Sequence, residues 1–159
     1  MKHSFFLLVL SFVITSCSSV KVRFDQNVDF QQYNSFAYVK DGISRSKLPT
    51  SYKKALVYEV DRFLKNENLH PDKNRPDLLV IITPDFHKRI DIYDRVHFHG
   101  RHVYKEKSLE GRIKIKLLDA RANKKVWEGA FYIRAENSAQ FKRLLRKKLK
   151  RLAEKYPPR

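Results

Sequence analysis

Only one of the 159 residues is a cysteine, Cys17, and it closely follows an apolar run that covers residues 5–14. A single thiol forms no disulfide within the chain, so a hydrophobic core must hold the fold together. The apolar run is too short to span a bilayer, and its basic start and small-residue end are typical of a cleaved secretory signal. We therefore expect residues 1–16 to be removed and residues 20–159 to form one domain.

The segment Ile14-Thr15-Ser16-Cys17 resembles the lipobox of bacterial lipoproteins. The resemblance implies a covalent lipid on Cys17 and attachment to the lipid bilayer of the cell envelope. Apart from that lipid, we expect no cofactor. Residues 17–19 are then the acylated cysteine and a tether of roughly 10 Å at full extension. Under the enterobacterial sorting rule, Ser18 after the cysteine favours the outer membrane, facing the periplasm. An uncleaved signal and a free thiol in a secreted protein are the alternatives.

The charge of the chain predicts an anionic partner. It has 34 basic and 17 acidic residues, and removal of the signal, which holds one basic residue, leaves a net charge of +16. Such a balance favours nucleic acid, acidic polymers or membrane surfaces. Because the signal directs export, we expect no nucleic acid, and anionic lipid, lipopolysaccharide or cell wall instead. A protein partner is also possible on these observations. The remaining alternative is that the basic side chains are solvated and bind no partner.

Periodicity predicts the element order β-β-α-β-β-β-β-α. A continuous apolar run at 78–82 indicates a covered strand, and period-two alternation indicates half-exposed strands. Two segments with apolar residues at helical spacing follow possible capping residues. The predicted strands are 20–24, 36–39, 78–82, 89–99, 112–117 and 126–135, and the helices start near Thr50 or Ser51 and near Asn137. Hairpins beside two helices favour an α+β fold, with a mostly antiparallel sheet and both helices on one face.

The terminal helix is strongly basic outside its apolar stripe. Its leucines suit packing on the sheet, while its basic side suits an anionic surface, at roughly 1 kcal/mol per residue near lipid. The candidate surface-binding residues are Lys142, Arg143, Arg146, Lys147, Lys150 and Arg151.

The remaining chemistry is sparse, and the sequence predicts no catalytic residue. Ser44-x-x-Lys47 matches one motif of penicillin-recognising enzymes without the others that such enzymes need. His97 and His99 share one strand face with His102 nearby, but a stable zinc site needs further ligands in place. We favour a solvated strand face over a metal site. The alternative function is an envelope enzyme or metal-binding protein that uses the His-rich segment 87–107.

Four segments of the chain form a recognisable series. They are Asp29-Phe30-x-x-Tyr33-x-Ser35-Phe36-Ala37-Tyr38, Arg75-Pro76-Asp77-Leu78-Leu79-Val80, Gly111-x-Ile113-x-Ile115 through Leu118-Asp119-Ala120, and Lys124-Lys125-Val126-Trp127-Glu128-Gly129. Together they resemble the bacterial lipoprotein family of domain of unknown function 4136. The resemblance implies an α+β envelope lipoprotein and brings no established activity or site residues. The chain departs from the family pattern between His87 and Lys107, where a Gly- and aromatic-rich excursion is expected.

Overall fold

A computed structural model of the protein describes residues 20–39, 41–97 and 100–157. These residues form an α+β fold, as the sequence predicts. The strands are β1 (Val20–Phe24), β2 (Ser35–Tyr38), β3 (His70–Pro71), β4 (Leu78–His97), β5 (Gly100–Asp119) and β6 (Lys124–Ala135). The helices are α1 (Asp41–Ser44), α2 (Thr50–Asn66) and α3 (Ser138–Ala153), with one 3-10 turn at Phe30–Gln32.

The six described strands make one mixed sheet in the order β1-β6-β5-β4-β2-β3. The β1-β6-β5-β4 part is antiparallel, as predicted. The β2 strand, however, runs parallel to both β4 and β3. The reason is the connection through α2, because a helix that crosses over the sheet returns the chain in the same direction. The sheet is therefore partly parallel at its β2 edge.

The longest strands form a ribbon that projects beyond the rest of the sheet. The β4–β5 ladder runs from the pair Leu78 and Asp119 to the pair His97 and Gly100. The pairing of β5 with β6 ends at Leu109, and the pairing of β4 with β2 ends at Val80. About nine residue pairs therefore lie beyond β6, which at 3.3 Å per residue is an arm of roughly 30 Å.

The predicted strands 78–82 and 89–99 belong to one continuous strand, β4, as far as His97, where the described part of that strand ends. A proline, Pro84, lies between them and pairs in register with Ile113. Proline interrupts a ladder unless its missing N–H faces an unpaired edge. Such an edge exists here, because β2 pairs only as far as Val80.

Both long helices pack on one face of the sheet, as predicted. They lie side by side and run in the same direction, since Tyr52 contacts Phe141 edge-to-face near the start of both helices. Near their ends, Phe63 contacts Tyr156, just after α3, in the same way. The core between helices and sheet consists mainly of apolar and aromatic side chains. Its largest buried side chains include Trp127, Phe36, Phe141, Leu56, Leu64, Ile113, Ile115 and Leu145.

The opposite face of the sheet carries no helix among the described residues and is lined with charges. Arg112 is exposed there, and Lys114 and Lys116 are half-buried. None of the helices in the described ranges has the length and hydropathy that a bilayer crossing requires.

Candidate functional site: the basic face of α3 and the groove beside α2

The α3 helix begins where the sequence predicts, at a reciprocal cap. The Oδ1 atom of Asn137 accepts a hydrogen bond from the backbone N–H of Gln140 at 2.9 Å. In return, Oε1 of Gln140 accepts one from the backbone N–H of Glu136 at 2.6 Å. A cap of this kind satisfies backbone donors that the first helical turn leaves open. It fixes the start of the helix and therefore which side chains face the sheet.

The apolar stripe of α3 is buried, so its basic residues face outward. Phe141, Leu145, Leu149 and Leu152 are all buried against the core. Between Ser138 and Ala153 the helix has seven basic residues and no acidic one. Of the six predicted surface-binding residues, five are exposed and Arg151 is half-buried. The structure thus brings the predicted residues together on one helix, which we call the basic face (Lys142, Arg143, Arg146, Lys147, Lys150 and Arg151).

Positive charge is crowded along the basic face. Partial burial, together with the neighbouring charges of Arg151 and Lys147, lowers the pKa of Lys148. Burial is the largest cause of this depression, and repulsion from the two neighbouring cations adds to it. An anionic ligand placed on this face relieves that repulsion.

A groove of about 540 Å³ separates the basic face from α2. Its floor is apolar, formed by Phe63, Leu149 and Ala153. The remaining lining residues are Glu59, Arg62, Asn66, Arg146, Lys147 and Lys150. The lining residues from α2 are spaced at i, i+3, i+4 and i+7, so they form one stripe along about 10 Å of that helix. They are Glu59, Arg62, Phe63 and Asn66.

One buried carboxylate, Glu59, lies in the groove and is 3% exposed. Its Oε1 accepts a hydrogen bond from Nε of Arg146 at 2.6 Å, and its Oε2 lies 3.6 Å from a guanidinium nitrogen of Arg62. Sequence reasoning missed this residue. The signal was present, because Glu59 occupies the same helix face as the apolar Leu56 and Phe63, where a charge needs a partner from another element.

A second charged cluster lies on the uncovered face of the sheet, at the base of the ribbon. Glu110 is buried, and hydrogen bonds from Tyr132 and His87, with the charge of Arg89, lower its pKa. Asp91 pairs with both Arg89 and Arg134. Acidic and basic side chains are paired within this cluster, so the cluster lacks the one-sided charge of α3.

Three of the four segments that carry the family resemblance meet in a hydrogen-bond network at the start of β2 and β4. Oδ2 of Asp77 accepts from the backbone N–H of Asn34 at 3.0 Å and from that of Ser35 at 3.1 Å. The hydroxyl of Tyr33 donates to Oδ2 of Asp119 at 2.9 Å. These residues join three strand ends, so their role is to hold the fold.

The predicted metal residues fall where the structure gives no side-chain description. His97 belongs to β4 and His102 to β5, but only their backbones are described, and His99 lies outside the described residues. The ranges whose side chains are described contain no group of three His, Cys, Asp or Glu suited to a metal. Residues 1–19, including Cys17, also lie outside the description.

Comparison with known proteins identifies a family and a shared fold. The family model described as "Domain of unknown function (DUF4136)" matches residues 20–158. No curated protein is significantly similar in sequence.

Two solved structures share the fold at low identity. A PDZ domain protein from Parabacteroides distasonis is 19% identical with a TM-score of 0.56, over 88% of this chain and 35% of its own, so this chain spans about a third of that protein. A point variant of the PelC dodecamer from Paraburkholderia phytofirmans is 11% identical with a TM-score of 0.50, over 84% of this chain and 97% of its own.

Proposed function

Since this chain belongs to the DUF4136 family, whose description names no activity, we propose from its own residues that it is a lipid-anchored envelope protein. In this proposal Cys17 carries the lipid, and the domain that follows is a non-enzymatic binding module held against an anionic membrane or cell-wall surface. The outer membrane, on its periplasmic side, is the proposed location. The observation that carries the proposal is the basic face of α3, with its exposed cations and no acidic residue in the helix.

The distance between anchor and domain supports the same proposal. β1 begins at Val20, only three residues after Cys17. Three residues reach at most roughly 10 Å, which is about one Debye length at physiological salt. At that range the charges of the domain and of the headgroups still attract each other. β1 packs beside α3. The basic face therefore lies near the edge strand that the lipid anchor would tether.

The lipid attachment has a direct chemical test. Mass spectrometry of the N-terminal peptide of the native protein should show Cys17 as the first residue, carrying acyl groups. The Cys17→Ala variant should lack them and should leave the membrane fraction on washing. An unmodified Cys17 in the native protein contradicts the anchor.

The surface binding is tested separately, on mature chain without acyl groups (residues 17–159 with Cys17→Ser). The protein should sediment with vesicles of equal parts phosphatidylcholine and phosphatidylglycerol, and far less with phosphatidylcholine alone. Raising the salt from about 0.1 M to about 1 M shortens the Debye length from roughly 10 to 3 Å, so binding should be lost. Absence of binding at the lower salt contradicts the surface proposal.

The alternative function, an envelope enzyme or metal-binding protein, depends on the segment 87–107. The described part of that segment favours a structural use of His87, whose Nε2 lies 3.0 Å from Oε1 of the buried Glu110. Equilibrium dialysis with zinc tests the remaining imidazoles, by comparing the native protein with the His97→Ala/His99→Ala variant. Stoichiometric zinc that the variant loses favours the alternative.

A further inference from the structure

We propose that the groove between α2 and α3 binds one phosphate-bearing lipid amphiphile at a time. The phosphate lies among the cations of the rim, and the adjoining part of the alkyl chain lies on the apolar floor. This inference rests on the proposed function, because it names the ligand of the same basic face. It goes further in requiring a discrete site in place of a diffuse charged surface.

The charge balance of the groove favours an anion despite its buried carboxylate. Four cations line it, and Glu59 is the one acidic residue in the lining that the structure describes. Glu59 is already engaged by Arg146 at 2.6 Å and by Arg62 at 3.6 Å. A phosphate therefore meets a groove of net positive charge, in which Lys147 and Lys150 add to the two guanidinium groups.

The guanidinium groups are accessible as well as anchored. The side chains of Arg62 and Arg146 are each 51% exposed, although their contacts with Glu59 hold them in place. An arginine has five N–H donors, so one that already binds a carboxylate keeps donors for a phosphate. Positioning by Glu59 reduces the conformational entropy that binding would otherwise take from these long side chains.

The shape of the groove selects an amphiphile over other anions. Its volume of about 540 Å³ lies within the range of roughly 300–1,000 Å³ that is usual for small-molecule sites. The apolar side of the groove, formed by Phe63, Leu149 and Ala153, gains nothing from a free phosphate ion. A flat charged surface touches the exposed cations but leaves the cavity empty. An alkyl chain attached to a phosphate fills both parts.

The test uses decyl phosphate below its micellar concentration as the probe, with inorganic phosphate and decyl maltoside as the other arms. Isothermal titration of the mature Cys17→Ser chain should show one site for decyl phosphate. The protein used is suitable, because every residue of the described core lies between Val20 and Tyr156. Inorganic phosphate and the uncharged maltoside should each bind at least about tenfold more weakly, since each makes half of the contacts.

Three variants separate the groove from the general charge of the helix. Lys147→Gln/Lys150→Gln should weaken decyl phosphate binding roughly 30-fold, if each cation contributes as it does near lipid. Asn66→Trp, which fills the groove without changing its charge, should weaken binding at least about tenfold. Lys142→Gln/Arg143→Gln removes the same charge from α3 outside the groove and should change it less than about threefold. Thermal unfolding of each variant verifies that it is folded.

Several results overturn this inference. One is an equal loss of decyl phosphate affinity in the two charge variants. Another is decyl phosphate binding that Asn66→Trp leaves unchanged. A third is inorganic phosphate or decyl maltoside that binds as tightly as decyl phosphate. Sedimentation with anionic vesicles but no binding of decyl phosphate also overturns it, while the proposed function stands. Loss of vesicle binding at low salt is the distinct result that contradicts the proposed function.

Discussion

Ser35 and Asp77 hold each other through two hydrogen bonds of opposite direction. The hydroxyl of Ser35 donates to Oδ2 of Asp77 at 2.9 Å, and the backbone N–H of Asp77 donates to the same hydroxyl oxygen at 3.0 Å. The two residues are 42 positions apart, so the pair joins the start of β2 to the residue just before β4. It closes the crossover that makes this edge of the sheet parallel.

The first prediction concerns the stability that this pair provides. Asp77→Ala removes a carboxylate oxygen that accepts three hydrogen bonds, and we expect a loss of about 2 kcal/mol in the free energy of unfolding. Ser35→Ala removes the hydroxyl alone and should lose about 1 kcal/mol. Urea denaturation at neutral pH measures both. Equal losses, or a smaller loss for Asp77→Ala, contradict this account of the network.

The second prediction concerns acid sensitivity. Backbone hydrogen bonds from Asn34 and Ala122, respectively, are the largest of the causes that lower the pKa values of Asp77 and Asp119 in the folded protein. A carboxyl with a depressed folded pKa stabilises the fold above its unfolded pKa, near 3.9, and this contribution is lost as the pH falls through the folded pKa. The melting temperature should therefore decrease below about pH 4.

Variants assign this acid sensitivity to the network. Asp77→Asn/Asp119→Asn should melt at a lower temperature than the native protein at pH 7. The difference should shrink as the pH falls below about 4, because these carboxyls are protonated first in the unfolded chain and, at lower pH, in the folded protein. Asp85→Asn, at an exposed position on the β4 strand, is the matched control. A constant difference across the pH range contradicts the assignment.

The third prediction concerns the ion pair in the groove. Arg146→Leu leaves the carboxylate of Glu59 buried with only Arg62 nearby, and we expect a loss of about 2 kcal/mol. This is less than for a fully buried pair, because the Arg146 side chain is 51% exposed. Glu59→Leu/Arg146→Leu should recover most of the loss, since no charge is then buried. A double-mutant cycle by denaturation measures the coupling, and additive losses argue against it.

The fourth prediction concerns two glycines within the resemblance segments. A Cβ on Gly111 would overlap the carbonyl oxygen of Asp85 and lie 2.7 Å from Cα of Phe86. Because this neighbour is backbone of the paired strand, Gly111→Ala should destabilise the protein by about 3 kcal/mol.

The other glycine differs in what surrounds it. A Cβ on Gly129 would press on the ring of Trp127 and lie 2.9 Å from Cδ2 of Leu152, both of which are side-chain atoms. Side chains adjust more readily than backbone, so Gly129→Ala should lose less, about 1–2 kcal/mol. Thermal unfolding of the two variants tests the order, and a greater loss at Gly129 contradicts it.

The helices were the most predictable elements of the fold. The spacing of apolar residues predicted both long helices, and the Asn137 cap predicted the start of α3. The start of α2 differs from the prediction in its chemistry. Pro49 holds the N-cap position, with no side-chain hydrogen bond, where Thr50 or Ser51 was predicted as the cap. Proline suits a helix start because its φ is already close to helical.

The sheet was less predictable, because strand direction depends on contacts between distant segments. The alternation in β2 is the same whether the strand runs parallel or antiparallel to its neighbour. Hydrophobic patterning predicted two strands, 78–82 and 89–99, where β4 is continuous through Pro84, and the missing partner at that edge explains why the strand tolerates the proline. The groove also needs two elements, since neither α2 nor α3 alone forms a concave surface. The basic face, by contrast, follows from the sequence of one helix.

The pairing of β1 with β6 determines how the domain responds to a pull on its N-terminal segment. β1 is an edge strand whose five residues, Val20 to Phe24, all pair with β6 in antiparallel register. Interstrand hydrogen bonds lie perpendicular to the strands. Tension along the strand axis from the segment before Val20 therefore acts on the β1–β6 hydrogen bonds in shear, sharing the force among them. The β1–β6 pairing thus resists force on the N-terminal segment as well as completing the sheet.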